Sequence, residues 1–132
     1  MSREEINIDL DRDPPDYLPD ESLSGSWTLA ADHEREVRSA ELSVLWYTEG
    51  KGDEDFGVHH FERLSAVEAG GVESRRPQRF SLRLPRAPLT YDGVIVKVIW
   101  CVRVRVFWDR GETVAEAPFR LGAVVRAREV PT

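Results

Sequence analysis

The chain has 132 residues and a mass of 15.1 kDa, enough for one domain spanning residues 1–132 and too short for two. With 41% hydrophobic residues, 9 Gly, 8 Pro and 1 Cys, it is neither a fibrous repeat nor a disulfide scaffold. A net charge of −6 without any basic run excludes the electrostatic footprint of a nucleic-acid binder.

Period-two alternation of apolar and polar residues runs along the chain and predicts strands. The first is Ile6, Ile8, Leu10, and residues 1–5 before it are acidic and expected to be disordered. After an Asp13-Pro14-Pro15 turn come Leu23, Gly25, Trp27 and Leu29, and then Ala40, Leu42, Val44 and Trp46. The turn Glu49-Gly50-Lys51-Gly52-Asp53 leads to a strand from Val58 to about Leu64, followed by a loop with Gly70-Gly71. Phe61, Leu64 and Val67 also repeat at three, which leaves a helical turn open there. Phe80, Leu82 and Leu84 form the next run.

The longest strand follows Tyr91-Asp92-Gly93 and extends from Val94 to Asp109. Val94, Val96, Val98, Trp100, Val102, Val104, Val106 and Trp108 share one parity, with Lys97, Arg103 and Arg105 on the other. Beyond Asp109-Arg110-Gly111-Glu112, the residues Ala115, Ala117, Phe119 and Leu121 alternate with polar ones, and Pro118 marks this strand as an edge or a bulge. The pattern predicts an all-β fold, a two-sheet antiparallel β-sandwich of immunoglobulin-like or arrestin-like type, with Trp27, Trp46, Trp100 and Trp108 in its core.

Two segments carry a family resemblance. Tyr17-Leu18-Pro19-Asp20-Glu21-Ser22-Leu23-Ser24-Gly25 is similar to an aromatic-x-Pro-Gly-Glu-x-aliphatic-x-Gly turn into an early strand. Phe80–Pro85, Pro88–Gly93 and Ile99–Val104 are similar to a strand, a Pro/aromatic/Gly loop and an aliphatic-aromatic-x-Val strand. In type and spacing these resemble the arrestin family. The resemblance implies a single-domain, bacterial-type arrestin-like sandwich whose relatives act as adaptors through protein contacts. No position matches the phosphate-sensing lysines or buried polar core of receptor-binding arrestins, so receptor binding does not carry over. Asp20 stands where the family has Gly, which suggests a type I turn without positive φ. Gly25 is expected to admit a close backbone or bulky side chain.

No catalytic residue is identified: nucleophile motifs and phosphate-cradling loops are absent, and the chain is not expected to be an enzyme. No cofactor is implied. Asp53, Glu54, Asp55, His59 and His60 contain metal-ligand types, but adjacent histidines in a strand point to opposite faces, so no metal site is assigned. Cys101 reads as a structural thiol, and the charged, apolar-poor start predicts a cytoplasmic protein without a secretory signal or a membrane span.

The charge is split along the chain. Residues 1–24 hold 8 acids and 2 bases, residues 25–74 hold 11 and 4, and residues 75–132 hold 5 and 12. Arg83, Lys97, Arg103 and Arg105 on outward parities are the candidate partner-binding stripe for an acidic protein or peptide, with pairing to Glu41 or Glu116 as the alternative. Exposed strand edges offer β-augmentation, and docking of acidic on basic halves of neighbouring chains offers homo-oligomeric self-assembly.

Overall fold

The computed structural model describes residues 5–30, 37–65 and 76–122. The strands are β1 (Glu5–Leu10), β2 (Asp16–Tyr17), β3 (Ser22–Ala30), β4 (Val37–Gly50), β5 (Phe56–Ser65), β6 (Gln78–Arg83), β7 (Tyr91–Asp92), β8 (Val96–Trp108) and β9 (Glu112–Leu121). They form a three-stranded sheet β1-β3-β6 and a six-stranded sheet β2-β9-β8-β4-β5, with β7 paired to one end of β8. The fold is the all-β two-sheet sandwich that the alternation predicts. His33, the Gly70-Gly71 turn, Val67 and residues 1–4 of the acidic start lie outside the described residues, whereas Glu5 already belongs to β1.

The core lies between the sheets. Ile6, Leu23, Trp27, Leu29 and Phe80 face Leu42, Val44, Trp100, Val102, Val104, Val106 and Phe119. Each fully buried aliphatic side chain contributes roughly 1.5–3 kcal/mol, so β8 alone is a main source of stability. The indole N–H of Trp100 donates to the Pro88 carbonyl at 2.7 Å and that of Trp108 to Thr113 Oγ1 at 2.9 Å, so neither is buried without a partner. Trp46 is only half-buried; its ring lies where a Cβ on Gly57 would be, 2.4 Å from Nε1. A Cβ on Gly25 would fall 2.4 Å from the Asp9 carbonyl and 2.9 Å from the Phe80 ring, so the expected close approach is present.

One sequence expectation needs correction, the turn at Asp20, and two are refined. Asp20 adopts φ 69°, and Glu21 N–H donates to the Leu18 carbonyl at 3.1 Å. With Pro19 second in the turn and positive φ at the third position, this is type II geometry, which Asp tolerates in place of Gly. The sheets are not wholly antiparallel, because β2 pairs parallel with Arg120 and Leu121 of β9. The strand expected from Val58 begins at Phe56 and runs to Ser65. Pro118 lies on an unbulged part of β9 opposite Cys101, and β2 borders β9 only at Arg120 and Leu121, so Pro118 donates to no second neighbour.

Candidate protein-interaction face

The four predicted partner-binding residues do not form one stripe. Lys97, Arg103 and Arg105 follow each other along the outer side of β8, whereas Arg83 belongs to β6 in the other sheet and donates from Nε to the Asp20 carbonyl at 3.3 Å. Each cation on β8 already meets a carboxylate: Arg103 Nε donates to Glu116 at 2.6 Å, Lys97 lies 3.6 Å from Asp92, and Arg105 lies 3.7 Å from Glu112. The charge split is also bridged within one chain. Asp11 pairs with Arg79 at 2.6 Å, Asp20 with Arg86 at 2.8 Å and Asp16 with Arg120 at 2.5 Å, tying the acidic start to the basic end.

Strand register shows what else occupies that outer side. In one row, Val58, Leu45, Cys101 and Pro118 lie opposite one another across β5, β4, β8 and β9. In the next, Phe56, Tyr47 and Ile99 do the same. Above them run Phe61, Ser43, Arg103 and Glu116; below them run Glu49, Lys97 and Asp92. An apolar band therefore crosses four strands on the side turned away from the core, between two charged rows. Leu45 and Cys101, at its centre, are 3% and 2% exposed although no third layer covers them among the described residues. Phe56 and Val58, at its β5 end, are 69% and 54% exposed.

Two depressions flank the band. One, of about 430 Å³, is lined by Leu45, Tyr47 and Phe56 with Glu49, Glu54, Asp55 and Arg103. The other, of about 260 Å³, lies where β7 and β9 approach β8 and includes Ile99, Pro118, Tyr91 and Lys97. Contiguous apolar surface rimmed by charge marks contact surfaces more often than scattered exposed side chains do.

The chemistry-bearing residues fit a structural role. Burial, with the Glu116 charge nearby, pushes the Cys101 thiol up to about 11, against the opposing effect of Arg103. Burial likewise raises the Tyr47 phenol. His59 and His60 do not point to opposite faces as a regular strand requires. A bulge between the pairs His60–Val44 and Val58–Leu45 leaves His59 without a partner on β4. Its Nε2 meets the Arg83 carbonyl at 2.7 Å and its ring packs edge-on against Trp100, while His60 Nε2 meets Glu62 at 2.8 Å. Among the described residues no group of three or more His, Cys, Asp or Glu is placed to hold a metal ion, and no helix is long and apolar enough to cross a membrane.

The apolar band was missed in the sequence because it hides in the breaks of alternation. Val44-Leu45-Trp46-Tyr47 and Ile99-Trp100-Cys101-Val102 are continuous apolar runs, the pattern of strands with apolar contacts on both sides. Phe56, Val58 and Phe61 add the same signal on β5.

No family model matches the chain, and no curated protein matches it in sequence. In structure it is similar to Spo0M, a sporulation control protein from Bacillus subtilis, with a TM-score of 0.67, 15% identity and 91% of this chain covered. The chain spans about half that protein's length, 49%. At this identity the likeness establishes the fold, an arrestin-like β-sandwich.

Proposed function

We propose that the chain is a non-enzymatic protein-interaction or adaptor module of arrestin-like type whose docking surface is the outer side of the six-stranded sheet. The observation that carries this reading is the apolar band in which Phe56, Val58 and Pro118 stand exposed and Tyr47 and Ile99 partly so, around the buried Leu45 and Cys101, between two charged rows. The fold is shared with a protein described as a sporulation control protein, which is in keeping with a regulatory role. Arg103 and Arg105 are partly neutralised by Glu116 and Glu112, so apolar contact supplies the affinity and the ion pairs its rim. Self-assembly through acidic and basic halves would draw on carboxylates and guanidinium groups that already pair inside one chain.

The test is capture on immobilised protein with identification of bound proteins by mass spectrometry. Phe56→Ser combined with Val58→Ser should lose the captured partner, and Ser81→Ala on the other sheet should keep it. Capture that survives the double substitution would move the docking surface elsewhere.

A further inference from the structure

A second contact surface lies at the edge of the same sheet. β5 bonds to β4 on one side and to no strand on the other among the described residues. Thr48 N–H donates to the Asp55 carbonyl at 2.9 Å, which fixes which β5 residues bond inward. Alternation across the bulge then makes Val44–His60 and Leu42–Glu62 the hydrogen-bonded pairs. The N–H and C=O groups of Phe61 and Arg63 consequently point to the free edge. Natural edges are usually blunted by lysine, proline or charge. Here Phe61 stands 53% exposed, and the bulge at His59 ends the regular edge on one side.

We propose that a second copy of this chain adds to that edge, β5 against β5, antiparallel about a two-fold axis at Phe61. The register follows from charge. An axis at Arg63 or Glu62 would set two like charges directly opposite each other, which is unfavourable. An axis at Phe61 places the two phenyl rings together, and their backbones exchange two N–H···O bonds. It also sets Glu62 of each copy opposite His60 of the other. These two side chains already bond within one chain, at 2.8 Å, so they lie on one face with compatible chemistry. Arg63 is then one diagonal step from the Phe61 ring of the other copy, within reach of a cation–π contact. The edge is thus complementary to itself, as a two-fold interface requires.

This inference does not rest on the adaptor reading, because it concerns the edge of β5 and needs no foreign partner. Sedimentation velocity of the purified chain across concentration should show a monomer–dimer equilibrium. Phe61→Asp should raise its midpoint concentration by at least about tenfold, the effect of losing a central contact. Opposed residues in such a pair have Cα atoms about 5.5 Å apart, within the disulfide range. Phe61→Cys should therefore form a covalent dimer under mild oxidation far faster than Arg86→Cys, a control whose side chain is 83% exposed. A wild-type monomer up to several hundred micromolar, a dimer indifferent to Phe61→Asp, or equal cross-linking by the two cysteine variants would each overturn the proposal. Loss of partner capture alone would leave it standing.

Discussion

On the outer side of the three-stranded sheet, Asn7, Asp9, Ser22, Ser24, Ser26, Thr28, Arg79, Ser81 and Arg83 face outward in register. On the corresponding side of the six-stranded sheet stand Phe56, Val58, Leu45, Tyr47, Ile99, Cys101 and Pro118. Both sheets bury the same kind of inner face, so core formation does not explain the difference. A solvated outer face needs only hydroxyls and charges, as the small sheet has. The large sheet buries Leu45 and Cys101 on its outer side as well, and leaves Phe56 and Val58 exposed where a solvated face needs no apolar side chain.

Substitutions can set the two sides against each other. The largest effect belongs to the inner face: Trp100→Ala removes the largest fully buried side chain and should cost about 3–5 kcal/mol in denaturant unfolding. Leu45→Ala on the outer side should still cost about 2 kcal/mol or more, because that leucine is buried. Ser81→Ala on the other outer side should stay within about 0.5 kcal/mol. Equal small losses at Leu45 and Ser81 would mean that the band is not packed and would dissolve the contrast.

A thiol at the centre of the band gives a pH test. Cys101 titrates higher folded, at about 11, than unfolded, so its contribution is complete below the unfolded value and is lost as pH rises toward 11. Stability should fall over this alkaline range more in the wild type than in Cys101→Ala, and native thiol labelling at neutral pH should be slow. Rapid native labelling would show that the band opens. The smallest effect lies on the small sheet, where the Arg79 guanidinium and the Ser24 hydroxyl hold the exposed Asp11 carboxyl below its usual range. Its contribution is present above the unfolded carboxylate pKa and declines as pH falls below about 4. Arg79→Ala should flatten that acid-side slope, as followed by thermal unfolding between neutral and acid pH.

Much of this architecture was legible in the residues, because alternation is a direct record of which side meets the core. The β3 run Leu23, Gly25, Trp27, Leu29 and the inward valines of β8 keep one parity throughout and define their strands. The short pieces β2 and β7 were not legible, since two residues carry no period, and β2 in addition pairs only with a strand far along the chain. The candidate face was obscured for a different reason. Charge catches the eye in Arg103 and Arg105, but their carboxylate neighbours Glu116 and Glu112 sit on another strand, and the fold decides that Glu116, opposite Arg103, is the partner and Glu41 is not. The His59 bulge was equally hidden, because one extra residue in a strand leaves no mark on composition.

The pairing of β2 with β9 joins Asp16 to Arg120 and Tyr17 to Leu121. Closing so long a loop costs chain entropy before any contact rewards it. On the ribosome, β2 has no partner strand until nearly all the described residues have been made. Tyr17, which packs its ring edge-on against Phe119, lacks that neighbour until then. The sandwich is therefore sealed late, and a nascent chain halted before β9 would expose the flank of β8 along with the interior that Phe119 and Leu121 cover.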